Sequence, residues 1–131
     1  FIVVLTTPDR ARTQVAWEQL AARAAMAFDT RVTVLNRELE RPLAQRYPVA
    51  VLQLRDRCLV EIDEVELPDA APAGLTLGTH LVSIECDSLQ RTLEGLGAPQ
   101  AMRGPGYDGA RSALWRGPSG ERVELIERGL S

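Results

Sequence analysis

The stretch THLVSIECDSLQRTLEGLGAP, residues 79–99, decides the fold, because it joins a strand directly to a capped helix. Apolar residues alternate through LVSIECD, which is typical of a half-buried strand. Ser88 then stands at the N-cap position of the helix SLQRTLEGLG, and Gly97 and Pro99 end it. The strand begins beside His80, the only histidine of the chain. The stretch therefore predicts a strand–helix unit with His80 at its entrance.

The same order opens the chain. Residues 1–7, FIVVLTT, are apolar and β-branched, and Asp9 precedes a segment from Arg10 that is rich in alanine, leucine, glutamine and glutamate. This pattern predicts a strand, an Asp9 N-cap and a helix. The residues available for the buried stripe of this helix are Val15, Trp17, Leu20 and Met26.

Each predicted helix is followed by three predicted strands. In the first half they are residues 30–36, 47–55 and 58–65, the last two joined by a tight turn near Asp56. In the second half they are residues 100–104, 110–117 and 121–128. The final strands LVEIDE and RVELIE correspond, with Glu61 and Glu124 at the same place. The chain thus predicts two copies of a βαβββ module.

Residues 67–78, LPDAAPAGLTLG, have the proline, glycine and alanine content of a linker. We expect module one over residues 1–66 and module two over residues 79–131, together forming a single domain of residues 1–131. One helix covers only one face of a four-stranded sheet, so the modules need each other. The predicted fold is α+β, a curved mixed sheet of eight strands around a concave cavity with the helices outside.

Composition narrows the class of protein. The chain has 15 basic and 18 acidic residues, and the basic ones, all arginine, are spread along its length. This does not resemble a nucleic-acid-binding surface, which needs clustered positive charge. No apolar run approaches the roughly 20 residues of a membrane span, and no signal-peptide pattern is visible, so we expect a cytoplasmic protein. Cys58 and Cys86 stand alone in apolar strands and are predicted to be buried thiols.

With VVLTTPDRART in its first half, and VSIECDSLQRTLEGLGAP and ALWRGPSGERVELIE in its second, the sequence resembles the vicinal oxygen chelate superfamily. That superfamily includes glyoxalases, extradiol dioxygenases and bleomycin-resistance proteins. The resemblance covers nearly the whole chain and implies a homodimer. It also implies a divalent metal, held in each module by a His or Gln of the first strand and a Glu of the last, with open positions for substrate oxygens.

Carried onto this sequence, the last-strand ligands fall on Glu61 and Glu124. The first-strand ligand of the family stands seven residues before the helix cap, which here gives Ile2 and Leu81. Neither side chain can bind a metal. Glu124 is the candidate catalytic base, because a carboxylate in an apolar cavity holds a proton more tightly than one in water.

His80 lies one residue before the expected ligand position. Successive strand side chains point to opposite faces, so His80 would point toward the helix while Leu81 points into the cavity. The interpretation we favour is a strand-entry or surface histidine. The alternative is a β-bulge between His80 and the helix cap that turns His80 into the cavity as a metal ligand, a local irregularity that the flanking Gly78 makes possible.

Other side chains are candidates for ligand contact. The glycine-rich RGPGYDG, residues 103–109, is interpreted as a rim loop that could close over a ligand. Trp115 and Arg116 lie on opposite faces of one strand, and the simpler interpretation packs Trp115 under the second helix. The full set of predicted ligand-binding residues is Gln53, Glu61, Leu81, Arg103, Tyr107 and Trp115.

The favoured function is binding of a small organic ligand in an apolar cavity, without the usual metal or any other cofactor, by a homodimer. The alternative is a metal-dependent lyase, isomerase or dioxygenase that uses Glu61, His80 and Glu124. A third hypothesis is an accessory domain of a longer protein.

Overall fold

The structure is a computed structural model of the 131-residue chain. It describes residues 1–55, 57–66, 81–97, 99, 101–106 and 108–128, and for residues 103–106 it describes the backbone alone. The helices and strands are β1 (Ile2–Thr7), α1 (Arg10–Ala21), β2 (Met26–Thr30), α2 (Thr33–Glu38), β3 (Tyr47–Gln53), β4 (Leu59–Glu64), β5 (Val82–Cys86), α3 (Leu89–Leu96), β6 (Ala101–Gly106), β7 (Ala110–Arg116) and β8 (Arg122–Glu127).

The α+β class and the two predicted βαβββ modules are confirmed. The described strands pair in two sheets of four rather than in one sheet of eight, with strand orders β1-β4-β3-β2 and β5-β8-β7-β6. In each sheet the first and last strands are parallel neighbours and the other pairs are antiparallel. Each module therefore repeats one topology, in which the last strand lies between the first and the third.

The predicted strand at residues 30–36 is wrong. The helix α1 ends at Ala21, the strand β2 covers Met26–Thr30, and residues of TRVTVLN enter the short helix α2. Met26 consequently lies on an edge strand and is exposed instead of joining the stripe of α1, and the prediction for Val15 is also wrong, since it lies on α1 but is exposed. The β-branched residues favour a strand locally, but α2 packs Leu35 and Leu39 against a buried cluster formed by Tyr47, Val49 and Val65.

Both modules begin their first helix with the same contacts. Asp9 accepts a hydrogen bond from the Arg12 backbone N–H at 3.0 Å, and Ser88 accepts one from Arg91 at 3.4 Å. In addition, the last strand of each module supplies a glutamate to the helix start. Glu64 accepts from the Arg10 backbone and Glu127 from the Leu89 backbone, both at 3.1 Å. These acceptors satisfy N–H groups that lack partners within a helix.

The core of each module lies between its sheet and its helix. In module one, α1 packs on β3 and β4, and Trp17, Leu52 and Ile62 are fully buried. In module two, α3 packs on β7 and β8, and the buried residues are Leu89, Ala113, Trp115, Val123 and Leu125. The side chains that point toward the helix thus form the core of each module, in keeping with strand alternation.

The chain divides into two compact units, Phe1–Pro68 and Asp69–Ser131. The predicted linker, residues 67–78, lies outside the described residues. Among the described helices, none combines the length and the hydropathy that crossing a bilayer demands. Cys58 and Cys86 are free, as predicted, but half-buried rather than fully buried. Burial raises the pKa of the Cys86 thiol, which weakens it as a nucleophile.

Candidate functional site

The face of each sheet opposite its helix carries the glutamate of the last strand, and we call it the glutamate face. In module one it bears Glu61, whose neighbours across the sheet are Val4 on β1 and Val51 on β3. In module two it bears Glu124, whose neighbours are Ser83 on β5 and Leu114 on β7. The predicted correspondence of the two glutamates therefore extends to their register in the sheets.

A second carboxyl group lies beside Glu61. Asp63 follows two residues later on β4, so both side chains are on the glutamate face. Asp63 is only 1% exposed, whereas Glu61 is half-buried. Neither carboxyl oxygen of Asp63 has a hydrogen-bond donor among the described residues. Burial, and then the negative charge of Glu61, raise the pKa of Asp63 to about 6. A hydrogen bond to Glu61 adds to the shift, and it forms when Asp63 holds the proton.

The helix α2 covers one end of this face. Asn36 is buried there, accepts a hydrogen bond from the Tyr47 hydroxyl at 2.6 Å, and donates to the backbone carbonyls of Leu43 and Gln45 at 3.2 and 3.1 Å. These hydrogen bonds hold the segment between β2 and β3, which contains α2, over Tyr47 and Val49. Asp63 pairs with Val49 and so lies toward this covered end.

The other end of the face is open and apolar. Ile2 and Val4 of β1 and Met26 and Phe28 of β2 are exposed, and all four project on the Glu61 side by strand alternation. Val51 lies half-buried between these two strands. Exposed apolar groups gathered on one sheet face mark a surface that another molecule can cover.

In module two the glutamate is buried and hydrogen-bonded. Glu124 is 2% exposed, and the Ser83 hydroxyl donates to its Oε2 atom at 2.9 Å. Because that hydroxyl has a single hydrogen, the lone pairs of the exposed Ser83 oxygen remain available to a ligand donor. The predicted alternation is confirmed, since Leu81, Ser83 and Glu85 are exposed while Val82 and the other residues of that parity are half-buried.

Positive charge also lies on the glutamate face of module two. Arg116 and Arg122 are cross-strand partners on β7 and β8, on the same side as Glu124, and both are exposed. Arg128 binds Glu85 with an Nε to Oε2 distance of 2.9 Å. This face therefore mixes one buried carboxylate with arginines.

Trp115 lies on the opposite face, under α3. It is 5% exposed, its cross-strand partner is Val123, and its indole N–H donates to the Leu96 carbonyl at 3.4 Å. Of the pair Trp115 and Arg116, the arginine is thus the one on the Glu124 side. This placement favours the structural role for Trp115 over the ligand contact also considered.

Of the remaining predicted site residues, the structure describes Gln53 fully and Arg103 only by its backbone. Gln53 is exposed at the end of β3, on the Glu61 side and opposite Leu59. The backbone of Arg103 pairs with Ser112 in β6, a strand that continues to Gly106, so any rim loop is shorter than predicted. The side chain of Arg103, together with His80 and Tyr107, lies outside the described residues.

The described side chains do not supply the metal-ligand set that the family resemblance implies. The two first-strand positions hold Ile2 and Leu81, which have no donor atom. In the part of the chain that the structure describes, no three His, Cys, Asp or Glu side chains are grouped so that they could hold a metal ion. No step of chemistry is therefore assigned to a metal.

Two participants in these sites were not among the predicted site residues. Asp63 could have been found from the E-x-D spacing of LVEIDE, which puts two carboxyl groups on one strand face. Predicting the Ser83–Glu124 hydrogen bond would have required knowing that β5 and β8 are parallel neighbours. The repeat of the two modules could have suggested this pairing.

No family model matches the sequence, and no curated protein matches it. Solved structures do share its fold. A glyoxalase family protein from Bacillus cereus is 16% identical, with a TM-score of 0.65 over 96% of this chain and 89% of that one. A glyoxalase/bleomycin resistance protein from Catenulispora acidiphila is 17% identical, with a TM-score of 0.61 over 98% and 97%. A lactoylglutathione lyase from Agrobacterium tumefaciens is 14% identical, with a TM-score of 0.57 over 97% and 91%. The chain therefore has the glyoxalase-like fold along nearly its whole length.

Proposed function

We propose that this chain binds a small organic molecule on its glutamate faces, with apolar contacts and one or more carboxylates, and without a metal ion at the first-strand positions. The observation that carries the proposal is the nature of those positions. Ile2 and Leu81 stand where the family resemblance implies metal ligands, and both are exposed apolar side chains. These two side chains are suited to contact an organic ligand and cannot coordinate a metal ion.

The open end of module one supports this proposal energetically. Ile2, Val4, Met26 and Phe28 are between 42% and 68% exposed, so a ligand that covers them removes apolar surface from water. Each square ångström of apolar surface removed contributes roughly 25 cal/mol, although association entropy offsets a large part of the gain. Gln53 and Glu61 provide polar groups at this surface.

In module two, Glu124 is the residue we assign to proton transfer if the bound molecule is turned over. Its carboxylate is buried and held by Ser83, so it has a fixed position relative to the sheet. A fixed carboxylate away from water can accept a proton from a carbon acid positioned next to it. The Ser83 oxygen then contributes an acceptor for a donor group of the same ligand.

Ligand binding can be tested with N-phenyl-1-naphthylamine, a neutral probe whose fluorescence rises in apolar surroundings. We expect saturable binding that weakens at least about threefold in Val4→Asn, because the variant places an amide on the apolar surface. Val15→Asn is the matched control, since Val15 on α1 is 55% exposed and Val4 is 53% exposed. Equal binding by both variants, or no saturable binding by the wild type, would contradict the proposal.

The metal-dependent alternative is separated by elemental analysis of protein purified without chelators. We expect well below one equivalent of any divalent metal per chain, before and after incubation with zinc, manganese, nickel or ferrous ions followed by desalting. About one equivalent in the wild type that is lost in Glu124→Ala and Glu61→Ala would establish a metal site and overturn the metal-free proposal.

We also expect a homodimer, since the modules of the resembled superfamily can pair between chains as well as within one. Sedimentation equilibrium at micromolar concentration measures the mass directly. A monomer of 14.4 kDa would refute this expectation.

A further inference from the structure

We infer that the glutamate face of module one takes an organic cation, a ligand that carries a protonated amine on an apolar body. The inference rests on the proposed function and adds the charge and shape of the ligand. It derives from the pairing of Glu61 and Asp63, from the lack of basic residues among the described strand positions of this face, and from the apolar surface next to the pair.

The first observation is the carboxyl pair. Asp63 is 1% exposed, and neither of its oxygens has a hydrogen-bond donor among the described residues when both carboxyl groups are ionised. Its neighbour Glu61 is half-buried and reaches the open part of the face. A buried polar group without a partner is costly, and a cation at Glu61 compensates the negative charge of both side chains.

The second observation is the sign of the surrounding charge. The described strand residues on this face are Ile2, Val4, Thr6, Met26, Phe28, Thr30, Tyr47, Val49, Val51, Gln53, Leu59, Glu61 and Asp63. None of them is basic. Of the arginines in the segment that covers one end of the face, Arg41 lies 5.8 Å from the centre of the Tyr47 ring and donates to the Glu66 carbonyl at 2.9 Å, and Arg46 donates to the Asp29 carbonyl. The described strand residues of this face thus offer no positive charge to the carboxyl pair, and a ligand can supply one.

Module two provides the internal contrast. Its residue at the position of Asp63 is Ile126, and its residue at the position of Val4 is Ser83, which hydrogen-bonds Glu124. Arg116 and Arg122 add positive charge to that face. The described residues therefore favour a cation on the face of module one and not on that of module two.

The third observation sets the shape of the ligand. Adjacent strands are about 4.8 Å apart, so Glu61 on β4 and the side chains of β2 are separated by on the order of 10 Å across the sheet. Val51 lies between them, and Phe28 and Met26 are exposed at the far side. When the charged amine of a ligand binds Glu61, a short chain places its aromatic or aliphatic body over Val51 and against Met26, which is the cross-strand partner of Val51.

The test uses three molecules of similar shape and different charge: 2-phenylethylamine, 2-phenylethanol and 3-phenylpropionate. Amide chemical shifts of the labelled full chain give the affinity and the location of each at neutral pH. We expect the amine to bind at least about fivefold more tightly than the alcohol, with the largest shifts on β3 and β4, since one charge-assisted hydrogen bond is added. The carboxylate should bind most weakly.

Glu61→Gln should abolish the difference between amine and alcohol, and Asp63→Asn should reduce it. Asp29→Asn is the matched control, because Asp29 is an exposed carboxylate of the same sheet on the opposite face, so the change in net charge is identical. Asp29→Asn is expected to retain the full preference for the amine. If Glu61→Gln does not fold, the comparison of Asp63→Asn with Asp29→Asn decides the same question.

Equal affinities for amine and alcohol in the wild type, or an equal loss of preference in Asp29→Asn and Glu61→Gln, would overturn the inference. In those outcomes the neutral probe still binds and is still weakened by Val4→Asn, so the proposed function stands. Failure of the neutral probe and of all three molecules to bind would instead refute the proposed function.

Discussion

The two modules share a skeleton and differ on one face. Their strand order, their parallel first and last strands, and the glutamate at each helix start are the same. On the glutamate face, however, module one has Asp63, which has no hydrogen-bond donor among the described residues, beside Glu61, whereas module two has a single buried Glu124 that accepts from Ser83. The helix side fixes the fold in both modules, so the opposite side is where their chemistry can diverge.

The largest effect should come from breaking what the modules share, the tryptophan between helix and sheet. Trp17 belongs to the helix α1 and is fully buried, whereas Trp115 belongs to β7 and fills the corresponding contact from the sheet side. We expect Trp17→Ala to lower the free energy of unfolding by about 4 kcal/mol and Trp115→Ala by about 3 kcal/mol, because each leaves a large cavity.

Urea unfolding followed by far-ultraviolet circular dichroism measures both changes. The conservative variants Trp17→Phe and Trp115→Phe should lose less than half as much. If Trp115→Ala cost nothing, Trp115 would not be a core residue of module two, and its interpretation as a ligand contact would return.

The skeleton could be predicted from local patterns because its determinants are local. The caps Asp9 and Ser88 and the alternating strands 82–86 and 122–127 are found in the structure where the sequence placed them. The prediction failed at residues 30–36, where a β-branched run forms α2 because Asn36, Leu35 and Leu39 find partners on the sheet. Such contacts are distant in sequence and leave no periodic signal.

The next largest effect is a dependence of the folding stability on pH, which arises from Asp63 in module one. The pKa of Asp63 in the folded protein is about 6, above its ordinary value of 3.8, so the folded protein holds this proton more tightly than the unfolded chain does. Stability from this group is complete below about pH 4 and is lost as the pH rises toward 6. The linkage gives a loss of up to about 3 kcal/mol, since each pKa unit corresponds to about 1.4 kcal/mol.

Asp63→Asn should therefore remove most of this decrease and be more stable than the wild type at pH 7 by about 1–2 kcal/mol, because the new amide still lacks partners. The measurement is the urea midpoint at pH 4, 5, 6 and 7. The control Asp29→Asn should keep the wild-type profile. If the urea midpoint of Asp63→Asn changed with pH as it does in the wild type, ionisation of Asp63 would not lower the stability of the fold.

A smaller effect tests the cover that only module one has among the described elements. Asn36→Ala removes the acceptor for Tyr47 and both donors to the carbonyls of Leu43 and Gln45. We expect a loss of about 2 kcal/mol in the free energy of unfolding, against about 1 kcal/mol for Tyr47→Phe, which removes a single hydrogen bond. Equal losses would show that α2 is held by its apolar contacts alone.

The polar groups of the site were harder to predict than the skeleton for a physical reason. Strand parity correctly put Leu81 and Ser83 on one side and Trp115 on the other side from Arg116. Whether Glu61 or Glu124 accepts a hydrogen bond from the neighbouring parallel strand, however, depends on the side chain opposite it. That side chain is Val4 in module one and Ser83 in module two. The pairing register decides this, and a single sequence specifies it only through the whole fold.

The smallest effect exchanges the residues that distinguish the two faces. Ser83→Ala removes a hydrogen bond to the buried Glu124 and should lower the free energy of unfolding by about 1 kcal/mol. The loss is no larger because Ser83 is exposed, so water can reach the position that its hydroxyl leaves. The reciprocal Val4→Ser places a hydroxyl next to Glu61 and should change stability by only a few tenths of a kcal/mol, since the half-buried Glu61 already reaches water. Both are measured by urea unfolding, with Ser83→Thr as the control that retains the hydroxyl. A cost for Val4→Ser equal to that for Ser83→Ala would mean that the two glutamates lie in equivalent surroundings, and the contrast between the modules would then rest on Asp63 alone.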